Sequence, residues 1–129
     1  MLRHSDWRTT IETLTATPPT AALTELRGAP ASPGQATGPA RILRGPDQAA
    51  RLRPGDILVC ATLTPAWTPL FSSAVGIITE NAGALSSPAT IAREHGIPAV
   101  VAAKGATTRI RDGQTVIVDG ATGVILLQD

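Results

Sequence analysis

The chain has 129 residues and a formal net charge of +1, so it is long enough for one domain with a sizeable core and gives no electrostatic reason to expect nucleic-acid or membrane binding. Its aromatic residues are two Trp and one Phe, too few for the stacking surfaces that bind single-stranded nucleic acid. The single cysteine, Cys60, leaves no intrachain disulfide, and the lack of an apolar leader or membrane-length run predicts a cytoplasmic protein.

The first 27 residues predict a short helical N-terminal arm. Apolar residues recur there at spacings of three and four, in two pieces separated by Pro18 and Pro19: Trp7, Ile11, Leu14, Leu23 and Leu26. We expect this arm to pack on a domain formed by residues 28–129. The alternative is a segment that docks a partner or a second copy of the chain, as in a homo-oligomer.

Strands and turns dominate from residue 36 onward. Residues 40–43 predict a short strand, residues 47–52 a helical turn, and residues 53–56 a tight turn into an apolar strand over residues 57–60. At the other end of the chain, turns at Asp112-Gly113 and residues 119–123 separate closing strands that contain Ile110, Val116, Ile117, Val118 and residues 124–127.

Residues 64–74 predict a short helix between two of these strands. Thr64 suits the N-cap and Pro65 the first helical position, with Trp67 on the apolar face.

The most informative stretch spans residues 75–103. An apolar run ends at Ile78, small residues follow, and a Ser-Ser-Pro triplet at residues 86–88 opens a helix that Gly96 closes before a second apolar run over residues 97–103. The first-turn N–H groups of such a helix have no intrahelical partner, and the helix dipole adds partial positive charge there. The loop before the helix is therefore a candidate anion or ligand site.

Residues 79–100 read TENAGALSSPATIAREHGIPAV. This segment resembles the swivelling phosphohistidine domain, or mobile domain, of the enzymes that use phosphoenolpyruvate, whose pattern reads roughly TDxGGxxSHxAxxARExGIPAV. Residues 28–43, 54–70 and 112–124 are similar to the family's opening strand, its central strand with the following turn, and its closing hairpin. The resemblance implies an α/β fold, a swivelling β/β/α sandwich, as a single domain after the arm.

One departure from the pattern affects the chemistry that the resemblance implies. Ser87 stands where the family carries its phosphorylated histidine, and Glu80 replaces the aspartate while Ala82 replaces the first of the paired glycines. A phosphorylated imidazole has high transfer potential and leaves readily near neutral pH, whereas a serine phosphate is a stable ester. We therefore expect a retained frame that has lost phosphoryl carriage.

The helix start predicts a site built from two neighbouring loops. Its candidate catalytic residues carry hydroxyl groups: Thr79, Ser86 and Ser87. The candidate substrate-binding residues lie beside them or, by resemblance, on the adjacent loop: Asn81, Gly83, Thr62, Thr64 and Trp67. Two alternatives stay open, that a serine merely caps the helix and that Trp67 fills the core instead of forming an apolar wall.

The far end of the helix is expected to be structural. His95 lies eight residues beyond Ser87, about 12 Å along the axis, so it cannot replace the missing imidazole. The resemblance implies that Arg93 and Glu94 tie the helix to neighbouring loops. With two histidines, one cysteine and no carboxylate cluster, the sequence predicts neither a metal site nor a cofactor.

Three functions remain open. The first is a small-molecule-binding protein or cofactor-free enzyme of secondary metabolism at the Ser87 loop, since fixed geometry and a few hydrogen bonds can accelerate a cyclisation, rearrangement or isomerisation. The second is a non-catalytic docking or regulatory module for a partner protein. The third is residual phosphoryl transfer, with Ser87 as acceptor.

Overall fold

A computed structural model of the protein describes residues 24–62, 67, 73–81 and 87–128. The described strands are β1 (Thr24–Arg27), β2 (Ala29–Ser32), β3 (Gln35–Ile42), β4 (Ile57–Cys60), β5 (Gly76–Thr79), β6 (Ala99–Val101), β7 (Thr115–Asp119) and β8 (Val124–Leu127). The described helices are α1 (Ser87–His95), α2 (Ala106–Arg109) and a 3₁₀ segment (Pro46–Arg51).

The strands form a mixed sheet in the order β1-β8-β7-β3-β4-β5-β6-β2. Strand β3 joins its two halves, because residues 35–39 pair antiparallel with β7 while residues 40–42 pair parallel with β4. On one side β1, β8 and β7 are antiparallel neighbours. On the other side β4, β5 and β6 are parallel, with β2 antiparallel to β6. The carboxyl ends of β4, β5 and β6 therefore meet at one edge.

Two apolar cores lie on opposite faces of the parallel strands. Alternate residues of these strands pack with α1 in the first core, among them Leu58, Cys60, Ile77 and Val101. Their neighbours pack with β7 and β8 in the second core, among them Ile57, Val59, Ile78 and Val100. Burial on both faces is the reason these strands read as continuous apolar runs. The expected α/β sandwich of helix, sheet and sheet is confirmed.

Helix α1 packs closely on the sheet and ends at a glycine. Ala89 and Ala92 are fully buried, and their small side chains let the helix approach the strands. Gly96 has a φ of 68°, and the amide of Ile97 donates to the carbonyl of Ala92 at 2.9 Å while the amide of Gly96 donates to Arg93 at 3.2 Å. This pair of bonds is a Schellman motif, so the prediction that Gly96 closes the helix is confirmed.

The amino-terminal prediction needs a correction. Leu26 lies in β1 and is buried against the antiparallel strands, not on an amphipathic helix. Because β1 pairs with β8, residues 24–27 of the predicted arm belong to the sheet, and the rest of the predicted arm lies outside the described residues. The three-residue spacing of Leu23 and Leu26 fits a helical turn, but an edge strand of four residues is too short to show the two-residue alternation of a strand. The spacing therefore predicted the wrong element for residues 24–27.

The remaining elements match or correct the predictions in detail. Strand β4 and the 3₁₀ segment lie where expected, and β3 is longer than the predicted residues 40–43. Ile110 follows α2 and is not part of a strand. Helix α2 was not predicted, because it has four residues and two of them are β-branched threonines. Most of the predicted helix over residues 64–74 and most of the predicted loop over residues 81–84 lie outside the described residues.

Candidate functional site

The carboxyl ends of β4 and β5, with the segment after β6, form the edge where the sequence predicts a site. The amide of Glu80 donates to the carbonyl of Cys60 at 3.1 Å, and the amide of Asn81 donates to Ala61 at 2.9 Å. On the other side the amide of Ala103 donates to Thr79 at 2.9 Å. Loops at the carboxyl ends of parallel strands usually carry the binding groups of α/β proteins.

Thr62 and Asn81 come together on this edge. The Nδ2 of Asn81 donates to the Oγ1 of Thr62 at 3.0 Å, and both residues are exposed. The structure thus joins the segment after β4 to the segment after β5, as the resemblance implied. The pair presents an uncharged polar surface.

Thr79 lies beneath this surface. Its side chain is fully buried, and its Oγ1 donates to the carbonyl of Asn81 at 2.7 Å. The hydroxyl is therefore already bonded within the chain. Thr79 holds the turn after β5 and does not face outward as the prediction of a catalytic residue requires.

Trp67 belongs to the first core. It is 3% exposed and belongs to the cluster of buried side chains that includes Leu43, Leu52 and Ala74, which lie just outside the ends of the regular elements. Of the two roles considered for this tryptophan, its burial favours core packing over an apolar wall.

The other predicted site residues are described only in part. Ser87 is the first residue of α1, so the serine at the position of the family's histidine begins the helix that follows β5. Thr64, Gly83 and Ser86 lie outside the described residues. His95 is exposed at the opposite end of α1.

Arg93 has the structural role that the resemblance implied. Its Nη1 donates to the carbonyl of Ala31 at 2.7 Å, and its Nη2 donates to the Oγ1 of Thr90 at 3.5 Å. The first bond ties α1 to β2 across the first core. The guanidinium therefore orients the helix and lies two turns from its start.

Glu80 has a role that the sequence reasoning missed. Its Oε2 accepts from both the amide and the Oγ1 of Thr107, at 2.8 Å and 2.6 Å. Helix α2 begins after Gly105, which has no side chain to cap it. The carboxylate of Glu80, which directly follows β5, supplies that cap instead. The two residues are 27 positions apart, so local spacing in the sequence does not reveal the contact.

Cys60 is not available as a nucleophile. Burial, with a further contribution from the negative charge of Glu80, raises the pKa of its thiol from 9.0 to about 12. The thiolate is the reactive form, so a buried neutral thiol is inert near neutral pH.

A charged cluster lies beside the amino end of β4, away from the predicted site. Arg41 bonds to Asp56 at 3.2 Å and to Asp112 at 3.0 Å, and Arg51 bonds to Asp112 at 2.9 Å. Burial tends to raise the pKa of Asp112, but the Ile42 amide at 2.9 Å and the two guanidinium charges outweigh it and the pKa is lowered. The hydrogen bond to Asp56 raises the pKa of Arg41.

A shallow depression of about 410 Å³ lies next to this cluster, lined by Arg111, Asp112, Gly113, Gln114, Thr115 and Gln128. No residue of the predicted site lines it. The cluster ties β3 to the 3₁₀ segment and to the turn before β7, which is a structural role.

The part of the chain that the structure describes contains no group of three or more His, Cys, Asp or Glu residues placed to hold a metal ion. Its helices are all too short or too polar to span a membrane.

Comparison with known proteins gives the chain a family. Residues 52–123, more than half of its length, match the family described as PEP-utilising enzyme, mobile domain. The chain belongs to this family. The match runs from the residue after the 3₁₀ segment to the end of the β7–β8 turn and includes α1 with Ser87, so the resemblance noted in the sequence is confirmed.

The mobile domain has close relatives in larger proteins. It is 51% identical over 98 residues to the uncharacterized phosphotransferase YvkC of Bacillus subtilis (strain 168), and the alignment covers 76% of this chain and 12% of that protein. It is 48% identical over 103 residues to the chondramide synthase cmdD of Chondromyces crocatus, and the alignment covers 80% of this chain and 3% of that protein. The chain thus spans about an eighth or less of these relatives.

Among solved structures, the mobile domain is similar to the solution structure of the Enzyme I (nEIt) protein. The TM-score is 0.54 with 31% sequence identity, over 61% of this chain and 33% of that chain.

Proposed function

We propose that this mobile domain no longer carries a phosphoryl group at residue 87 and instead binds an organic small molecule beside the start of α1. The observation that carries the proposal is the serine at the first position of α1, where the family pattern has its phosphorylated histidine. A phosphoserine ester is a poor phosphoryl donor, because its alkoxide leaves far less readily than imidazole.

The states of His95, Cys60 and Glu80 support the loss of carriage. His95 lies at the other end of α1, about 12 Å along the helix axis. The thiol of Cys60 is buried and neutral near pH 7, and the carboxylate of Glu80 is engaged by Thr107. These three groups therefore offer no substitute for a phosphohistidine.

The exposed Thr62–Asn81 pair supports ligand binding at this edge. Its hydroxyl and amide groups can bond to an uncharged organic molecule, and the strand ends beneath it are held by backbone hydrogen bonds. If the site is catalytic, it suits a unimolecular cyclisation, rearrangement or isomerisation without a cofactor, since rigid positioning accelerates such reactions. The 48% identity to a chondramide synthase favours a role in secondary metabolism.

A second candidate is a non-catalytic docking module. The small share of the relatives' length that this chain spans supports it, because a mobile domain in such proteins has other domains to contact. Residual phosphoryl transfer, with Ser87 as the phosphate acceptor, is a third candidate.

Phosphoryl transfer tests the loss of carriage directly. The wild-type chain, Ser87→His and Ser87→Ala are each incubated with phosphoenolpyruvate or ATP and with the remaining domains of the Bacillus subtilis phosphotransferase relative. We expect an acid-labile phosphoryl group on Ser87→His only, with Ser87→Ala as the matched negative control. Turnover of a phosphoryl group through wild-type Ser87 would overturn the proposal.

Native mass spectrometry of the protein purified from its own host tests ligand binding. A co-purifying organic compound that is lost from a Thr62→Val, Asn81→Leu double variant would support the small-molecule site. A stable complex with a second protein and no bound compound would favour the docking module, and phosphate on Ser87 would favour the third function.

A further inference from the structure

Residues 79–81, the last residue of β5 and the two that follow it, are hydrogen-bonded to the segments after both neighbouring strands. Toward β4, Glu80 and Asn81 donate backbone hydrogen bonds to Cys60 and Ala61, and the Asn81 side chain donates to Thr62. Toward β6, Thr79 accepts a bond from Ala103. The Glu80 side chain makes a further contact, to α2.

The Glu80 contact joins this segment to α2. One carboxylate oxygen accepts from the amide and from the hydroxyl of Thr107, at 2.8 Å and 2.6 Å. Hydrogen bonds to an ionised acceptor are shorter and stronger than neutral ones. The Asn81 side chain, one residue later, donates to the Oγ1 of Thr62 at 3.0 Å, so two consecutive side chains tie this segment to two other parts of the chain.

We propose that Glu80 is a positioning residue for the candidate site: through Thr107 it holds the turn that presents the Asn81 amide beside Thr62. This inference rests on the proposed function for its biological meaning, because Asn81 belongs to the edge where the ligand would bind. Glu80 is also a departure from the family's aspartate that no other part of the proposed function explains.

Backbone amide exchange measured by NMR tests the role without any ligand. In Thr107→Val and Glu80→Ala we expect the Asn81 amide to exchange roughly ten-fold faster, because losing about 1.4 kcal/mol of local hydrogen bonding changes an opening equilibrium by that factor. The side-chain amide signals of Asn81 should shift as well. Amides of β8 serve as the distant reference and should be unchanged.

Matched variants separate positioning from general destabilisation. Thr107→Ser keeps both donors to Glu80 and should restore slow exchange. Thr108→Val removes a hydroxyl of the same helix that bonds to Gly105 at 3.0 Å and should leave Asn81 unaffected.

Each outcome bears on one proposal. If Asn81 exchange and side-chain shifts are the same in wild type and Thr107→Val, or if β8 amides accelerate equally, Glu80 is not a positioning residue and the ligand site stands untouched. If Asn81 loosens as expected but native mass spectrometry finds no ligand, the positioning role stands and the proposed function fails.

Discussion

Replacing Trp67 with alanine tests whether this side chain fills the core or lines a ligand site. Trp67 is 3% exposed among the residues of the first core. A buried tryptophan removes about 150–250 Å² from water, which at about 25 cal/mol per Å² is roughly 4–6 kcal/mol. Measured costs of such truncations are about 3–5 kcal/mol. We therefore expect the free energy of unfolding to fall by about 3–5 kcal/mol and the Tm by roughly 10–20 °C.

Urea unfolding followed by far-UV circular dichroism is the appropriate assay. Fluorescence would lose one of its two tryptophan reporters in Trp67→Ala, but a Trp7→Phe background isolates the emission of Trp67 in the otherwise unchanged chain. Val75→Ala is the control, because Val75 is 38% exposed and its truncation should cost less than about 0.5 kcal/mol. If Trp67→Ala lowers the free energy of unfolding by less than about 1 kcal/mol with the denaturant slope unchanged, the packing argument is refuted. Trp67 would then again be a candidate wall of the ligand site.

Three further predictions concern pH and backbone packing. Because the pKa of Cys60 is raised from 9.0 to about 12, the folded state retains a proton between these pH values that the unfolded state loses. The free energy of unfolding should therefore fall as pH rises through this window. The chain has no Tyr to titrate in the same range, and Cys60→Ala should remove this part of the slope in alkaline urea titrations. Because the pKa of Asp112 is lowered from 3.8, its contribution to the free energy of unfolding is present above that value and is lost as pH falls below it. An Asp112→Asn variant whose stability falls as steeply in acid as that of the wild type would contradict this. A Cβ on Gly120 would overlap the carbonyl oxygen of Ser32, so Gly120→Ala should cost about 2 kcal/mol or more in thermal unfolding. An unchanged Tm would show that the turn after β7 can move away from β2 at little cost.

Where the sequence predicts elements well, a local physical signal is present. The apolar run of β4 is bounded by a Pro-Gly turn, and α1 is bounded by a serine-proline start and by Gly96. The tight turn before β4 is also confirmed, since the Arg53 amide donates to the Asp56 carboxylate at 2.9 Å. The family resemblance adds the layer order, which no local pattern carries.

The candidate site was less predictable than the fold. Thr62 and Asn81 meet as the resemblance implied, but the sequence could not show that Thr79 is buried with its hydroxyl bonded inward. Alternation in a strand buried on both faces does not distinguish a core threonine from a site threonine. The Glu80–Thr107 contact and the Arg41–Asp112 pair join residues 27 and 71 positions apart, so only folding brings them together.

By itself the sequence determined the family, the apolar strands, the ends of α1 and the serine at residue 87, because each depends on residue identity or on neighbours within one turn. Tertiary structure decided which side chains of the edge face outward, that Trp67 joins the core and that Glu80 caps α2. Those outcomes depend on how the sheet brings β4, β5 and β6 into register and on which faces the two cores then cover. The identity of residue 87 is thus read from the chain alone, while packing decides which described side chains are exposed at the carboxyl ends of β4 and β5.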